Sequence, residues 1–383
     1  MSETPLQPSD RVASVPESGI RRFFEVAAEM DDVVSLGVGE PDFATPYRAR
    51  EAAIDSLQRG QTSYTANKGM VELRERIADH VTRYGLEYDP GEEIIVTAGA
   101  SEAIDATFRA LVNPGDSVAI AQPAYVSYEP GVRFAGGEPL PVETRAEDEF
   151  VLTRERLEAA GAQDAELLVY CYPNNPTGAT MTEDELREVA AFCREHDIAV
   201  MADEIYAALT YEGDHTSIAT LPGMRERTVV FNGFSKAYAM TGLRLGYALA
   251  PPHVIDSINR IHQYSMLSAP TTAQHAAIEA LDNCGSDVEE MCTQYDRRRN
   301  FVLARLDEMG IDCFEATGAF YVFPESPWPD AGEFAETLLQ EEQVAVVPGD
   351  AFGTGGEGHL RMSYASSMDD LRTAMDRIER FLE

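Results

Sequence analysis

Lysine is almost absent from this chain. Among 383 residues only Lys68 and Lys236 carry a primary amine on the side chain, against 30 Lys+Arg in all. Arginine replaces lysine in most ion pairs, but its guanidinium stays protonated near neutral pH and cannot form a Schiff base. A lysine retained under such a bias is expected where amine chemistry is required. Lys236 lies in Asn232-Gly-Phe-Ser-Lys-Ala-Tyr-Ala-Met-Thr-Gly-Leu-Arg-Leu-Gly246, with Ser235 before it, Gly233 and Gly242 loosening the backbone, and Arg244 following. A hydroxyl donor, a bidentate guanidinium and a nucleophilic amine suit a ligand that carries both a phosphate and an aldehyde. Pyridoxal phosphate has both groups.

The same stretch resembles the lysine signature of the class I/II aminotransferases, the fold type I family of pyridoxal-phosphate enzymes. Similarity runs from about Ser18-Gly-Ile-Arg-Arg-Phe-Phe24 to the C-terminus, and is nearest to the branch of archaeal and bacterial aspartate and aromatic aminotransferases. The resemblance implies a ping-pong transfer of the amino group of an L-amino acid, aromatic and/or aspartate, to 2-oxoglutarate, with Lys236 carrying the cofactor and then shuttling the proton. It also implies a homodimer with shared active sites, in which Tyr64 of Thr62-Ser-Tyr-Thr65 reaches the cofactor phosphate of the other subunit.

Other positions take roles from the same resemblance. Gly39, in Gly37-Val-Gly-Glu-Pro-Asp42, is expected to meet the substrate carboxylate, although a Gly-x-Gly turn alone would read as a turn. In Ala98-Gly-Ala-Ser-Glu102, the amides of Gly99, Ala100 and Ser101 stand between a strand and a helix start and suit a phosphate. Tyr125 resembles the aromatic residue stacked on the pyridine ring; without the family it would read as a core-capping aromatic. Tyr172-Pro-Asn-Asn-Pro-Thr-Gly178 is a rigid turn that offers the Asn175 amide to the cofactor's phenolic oxygen and to the substrate carboxylate. Asp203 follows an apolar strand that would bury its carboxylate, a cost of several kcal/mol unless a cation pairs with it. A pyridinium nitrogen would be that cation, while a helix cap is the plainer use of Asp. Tyr206 is placed within reach of the phenolic oxygen. Ser235, Arg244 and Tyr64 are expected on the phosphate. Arg361, in His359-Leu-Arg-Met-Ser-Tyr364, alternates with Leu360 and Met362 and matches the arginine that clamps the α-carboxylate.

The elements that must position these residues form an α/β pattern. Short apolar strands at Ile94–Thr97, Ser117–Ala121, Leu167–Cys171, Ile198–Ala202, Thr228–Phe231 and Leu245–Ala250 alternate with helices at 101–111, 125–135, 183–195, 253–266 and 271–283. Such alternation implies a mostly parallel sheet covered by helices, with ligands beyond the C-terminal strand ends. Thr182-Glu-Asp-Glu185 reads as a capping box. Before the sheet come a mobile arm over residues 1–16, a helix at 18–30, a strand at Val33–Leu36, and helices at 46–58 and 70–84. After it a long helix at 287–309 leads to a smaller α+β domain, with strands in Thr317–Pro324 and Val344–Pro348 and helices at 331–342 and 368–382. The expected division is an arm and small-domain segment at 1–44, a large cofactor domain at 45–284, and a small domain at 285–383.

Composition sets the surroundings. With 66 Asp+Glu the net charge is −36, which repels nucleic acid and anionic membranes; only Arg297–Arg299 runs basic, as on a solvated helix face. An acid-rich, lysine-poor folded enzyme is expected in a very salty cytosol, where ions screen self-repulsion. No signal pattern or membrane-length apolar run is present, so a cytoplasmic location is expected. Cys171, Cys193, Cys284, Cys292 and Cys313 lack Cys-x-x-Cys spacing, so neither a metal site nor a disulfide framework is expected.

Ser101 stands where bacterial aspartate enzymes of this branch carry a lysine for the distal carboxylate, which shifts the expectation from strict aspartate use toward aromatic or mixed substrates. A carbon–sulfur lyase on the same fold is the alternative, since elimination uses the same lysine and aspartate. A ligand-sensing regulator would need a basic DNA-binding extension, and the sequence carries none.

Overall fold

The computed structural model describes residues 7–16, 30 and 32–383. The helix expected over 18–30 lies outside the described residues but for Met30. The expected arm carries one short helix at Asp10–Ala13, and Arg11 Nη1 donates to Phe134 O at 3.2 Å.

Among the described residues twelve strands are numbered in chain order: β1 Val34–Ser35, β2 Ile94–Thr97, β3 Ser117–Gln122, β4 Glu138–Glu143, β5 Leu167–Cys171, β6 Ala199–Asp203, β7 Thr228–Gly233, β8 Gly246–Leu249, β9 Tyr321–Val322, β10 Val344–Ala345, β11 Val347–Pro348 and β12 Leu360–Ser363. Seven of them form one sheet in the order β2-β8-β7-β6-β5-β3-β4. All its pairings are parallel except those of β8, which runs antiparallel to β2 and β7. β5 is buried along its whole length and β6 and β7 over most of theirs, as apolar runs covered on both faces should be.

The helices form where sequence chemistry favours them. Thr182 and Glu185 make the expected capping box, with the Glu185 carboxylate accepting from Thr182 N at 2.7 Å. The Pro252–Ser265 helix starts with proline in its first turn, where the missing N–H leaves no bond unmade. Two expectations are corrected. The helix expected at 125–135 begins at Tyr128, so Tyr125 lies in the loop before it. Val344–Pro348, expected as one strand, divides at Val346 into β10 and β11, which join different sheets. Strand β4 was not expected, because Pro139 and Pro141 argue against a strand. It forms at the sheet edge, where a proline removes no ladder bond that the sheet needs.

A second, three-stranded antiparallel sheet has the order β11-β12-β9, and β1 pairs in parallel with β10. The N-terminal strand is thus tied to C-terminal structure. The long Gly285–Glu308 helix reinforces this link: Arg298 makes a two-armed pair with Asp42 at 2.7 and 2.9 Å. Among the described residues no helix is long and apolar enough to cross a membrane.

Candidate active site

The parallel register sets the last residues of β5 and β6 level, Cys171 opposite Asp203, with Asp203 opposite Phe231 near the end of β7. Beyond those ends lies a cavity of about 390 Å³, within the range of small-molecule sites. Gly39, Ala100, Ser101, Tyr125, Asn175, Asp203, Tyr206, Ser235, Lys236, Arg244 and Arg361 all line it. Two of the expected residues do not. Gly99 sits behind it as the N-cap of the Ala100–Leu111 helix, at φ +87°, and a Cβ there would come within 2.7 Å of Arg244 Nη2. Tyr64 is 79% exposed and does not line this cavity.

Asp203 closes β6 and is 5% exposed. Its Oδ2 accepts from Tyr128 OH at 2.6 Å and its Oδ1 from Ile205 N at 3.2 Å. Burial pushes its carboxyl up to about 6 even though both hydrogen bonds favour the anion. Among the described residues this carboxylate has donors but no directly bonded cation. Lys236 Nζ donates to Gly39 O at 2.6 Å and lies 5.5 Å from the centre of the Phe320 ring. Burial pulls its amine down to about 8; neighbouring Arg361 adds to the fall, while Glu40 and Asp203 oppose it. The amine is thereby brought close to a working range for proton transfer.

Arg361 enters from β12 and is 4% exposed. Its Nη1 donates to Asn175 Oδ1 at 2.9 Å and its Nη2 to Gly37 O at 2.5 Å, while Nε has no partner among the described residues. Its guanidinium lies between the rings of Tyr321 and Phe352, 4.8 and 4.7 Å from their centres. Arg361, Asn175 and Gly37 therefore join the two sheets and the N-terminal segment at one point. Gly39 is required there by close approach, since a Cβ would collide with Tyr321 OH.

Sequence reasoning missed several lining residues. Tyr128, fully buried on Asp203, offered only the signal of a second tyrosine one helical turn after Tyr125. Tyr321 lay in an apolar run read purely as strand, yet its OH meets Tyr206 OH at 3.0 Å. Cys171, Ile205, Glu40, Thr241 and Phe352 also line the cavity. A second cavity of about 530 Å³ adjoins the first and shares Ser101, Ile104, Tyr125, Val126, Tyr128 and Phe352 with it.

The sequence profile of the family described as "Aminotransferase class I and II" matches residues 31–378. The chain is 44% identical to an aspartate aminotransferase of Pyrococcus abyssi over 382 residues, covering 98% of each protein. It is 42% identical to aromatic-amino-acid aminotransferase 2 of Thermococcus litoralis over 383 residues, again covering 98% of each. The crystal structure of a Pyrococcus protein designated protein-A1 superposes with a TM-score of 0.95 at 45% identity, covering 98% of both chains. A half-buried lysine amine and a buried carboxylate at the strand ends of such a fold are what amino-group transfer through pyridoxal phosphate requires, and the chain belongs to the class I and II aminotransferases.

Proposed function

We propose that the enzyme takes aromatic L-amino acids as preferred donors and 2-oxoglutarate as acceptor, and that the cavity residues divide into a cofactor set and a carboxylate set. The observation that carries the substrate reading is the absence of a spare cation. Among the described lining residues, Lys236, Arg244 and Arg361 are the cations of the first cavity. Arg133, the cation of the adjoining one, is held by Glu129 at 2.7 Å. Ser101, Ile104, Val126 and Phe352 open instead toward Phe108 and Phe134, an apolar space suited to a ring. For the acceptor's distal carboxylate Ser101 offers a neutral hydroxyl, worth about 0.5–1.5 kcal/mol rather than the ~1.5–3 of a charged donor.

The donor set fits the cofactor. The Ala100 and Ser101 amides open a helix and lack a preceding-turn acceptor, so they suit a phosphate, with Gly99, Ser235 and Arg244 beside them. Asp203 carries a buried charge that a protonated ring nitrogen would pair. Tyr125 stacks, and Tyr206 and Asn175 donate to the phenolic oxygen. When bound, the cofactor supplies the electron sink that accepts the pair from the broken Cα–H bond. Lys236 Nζ would take the Cα proton and deliver it to the cofactor carbon on the far side of the shared nitrogen. Arg361, Asn175 and Gly39 hold the substrate α-carboxylate, with Arg361 Nε as the donor still without a partner.

The chain divides at residues 1–44, 45–284 and 285–383, a reading supported by the β1–β10 pairing. The enzyme is a homodimer in which Tyr64 serves the partner's phosphate site. Its exposure supports this, as do the exposed Tyr47, Leu57 and Tyr264 on nearby elements. The location is cytoplasmic and salty. With a net charge of −36, the melting temperature is expected to rise steeply from dilute to molar KCl, because the Debye length shrinks to about 3 Å at 1 M; a flat response would overturn the halophilic reading alone.

A panel of amino donors with 2-oxoglutarate, run in high salt beside a pyruvate-plus-ammonia assay, tests the function. Phenylalanine and tyrosine are expected to exceed aspartate in kcat/KM. Aspartate leading the panel would remove the aromatic reading, and keto acid released with ammonia and without an acceptor would point to the lyase chemistry instead.

A further inference from the structure

Behind the open end of the Ala100–Leu111 helix lies a carboxylate–imidazole pair that has no part in the chemistry above. Glu102, in the first turn of that helix, accepts from Ala98 N through Oε2 at 2.5 Å, and its Oε1 meets His262 Nδ1 at 2.5 Å. His262 comes from the Pro252–Ser265 helix and is fully buried, and its Nε2 has no partner among the described residues. An apolar side chain at position 262 would avoid that orphaned nitrogen, which costs free energy. Among the described residues the imidazole's hydrogen bonding runs through Nδ1, to Glu102.

Glu102 poses an electrostatic problem. A carboxylate suits a helix N-terminus, but a phosphate bound on the amides of Ala100 and Ser101 would place a second anion within the same turn, and like charges at such range repel. In this structure the carboxylate is turned back toward Ala98. The turn it closes is fixed from other sides as well. Thr97 Oγ1 donates to Gly99 O at 3.0 Å, Gly99 holds a φ of +87°, and Gly246 of β8 lies so close to Ala100 N that no Cβ would fit.

We propose that His262 is a positioning residue for the cofactor phosphate, acting through Glu102. Its Nδ1–H holds the carboxylate on Ala98 N and away from the phosphate, so the cradle keeps its amides free and its anion averted. The inference rests on the reading that this cradle takes the phosphate, and it assigns to Glu102 and His262 no contact with substrate or cofactor.

The test compares equilibrium affinities of the cofactor-free enzyme for pyridoxal phosphate and for pyridoxal, which lacks the phosphate. His262→Ala is expected to weaken pyridoxal phosphate binding by about tenfold, the loss of one charge-assisted hydrogen bond, and to leave pyridoxal binding unchanged. Adding Glu102→Gln to that variant removes the freed anion and is expected to restore most of the phosphate preference. His262→Gln, which keeps a donor, should behave nearly as the unaltered protein. Equal losses for both ligands, no loss for either, or no rescue by Glu102→Gln would overturn the proposal. Should His262→Ala fail to fold, Glu102→Gln alone decides: the preference for the phosphorylated ligand should hold or rise, and a fall overturns the idea. An unaltered enzyme with no preference between the two ligands would instead reject the phosphate cradle itself.

Discussion

The two halves of the cavity are built in different ways. The half proposed for the cofactor rises from one sheet: Asp203, Asn175, Lys236 and Arg244 all follow or close strands β5 to β7, or precede β8, within a single hydrogen-bonded register. The carboxylate half has no such base. Arg361 reaches Gly37 across 324 positions of sequence, and Gly39 lies under Tyr321 from β9. A parallel sheet delivers groups to one edge whatever their sequence distance, whereas the carboxylate half exists only when the chain's two ends meet. The halves should therefore fail separately.

Lys236→Ala separates chemistry from fold most sharply. Transamination should fall by at least roughly 10²–10⁴-fold, the usual scale for removing a general acid–base, and borohydride should no longer fix the cofactor to the chain. The cofactor-free variant should melt no lower than its parent, because burial disfavours the charged amine it removes. Persistent labelling would transfer the attachment to Lys68 or the N-terminal amine and dissolve the distinction between the halves.

Asp203→Asn probes the cost built into the cofactor half. Burial raises the Asp203 carboxyl from 3.8 to about 6. A raised folded value means the folded state holds its proton more tightly than the unfolded chain. The associated stability is full below about pH 3.8 and is lost as pH rises through about 6. At pH 7 the cofactor-free protein thus bears on the order of 3 kcal/mol of strain at this residue. Relative to wild type, the asparagine variant should gain stability across that window in denaturant titrations and lose cofactor affinity. A stability difference independent of pH would show that Asp203 is not desolvated as placed here.

Arg361→Lys addresses the other half. Charge is kept but the fork is lost, so kcat/KM should drop by about tenfold to a hundredfold, corresponding to ~1.5–3 kcal/mol. All amino donors and the oxo-acid acceptor should suffer alike, with cofactor affinity intact. If only dicarboxylates were affected, Arg361 would be reading the side chain. The smallest effect is expected from Tyr128→Phe, which removes one hydrogen bond to the buried Asp203 carboxylate, about 1.5 kcal/mol at the low end for a charged acceptor. Its signature is a loss of cofactor affinity with KM for the donor unchanged; a change confined to KM would move Tyr128 to the substrate side.

The legibility of the sequence follows the same division. The strands of the large sheet other than β4 were readable because burial on both faces writes itself as apolar runs, and the lysine segment was readable because lysine is so scarce in this chain. Strand β4 was hidden by prolines that only an edge position tolerates. Tyr128 was hidden because its partner lies 75 residues away and nothing local marks a tyrosine as a carboxylate donor. Glu102 and His262, 160 residues apart, were hidden for the same reason. The role of Tyr321 depends on Gly39 passing beneath it, a contact no periodicity encodes.

The antiparallel return of β8 has a further consequence. Gly233 and Gly246 face one another in the β7–β8 ladder, so residues 234–245, with Ser235, Lys236 and Arg244, form a loop tied shut at its base. Closing a flexible loop carries an entropy penalty that grows only slowly with its length. Three ligand groups therefore share a single closure instead of each being anchored on its own, and that closure is already met by strand pairing when the sheet folds. Loosening the Gly233–Gly246 pairing would disorder all three groups together, so the bare protein should exchange the amide hydrogens of this loop as one cooperative unit.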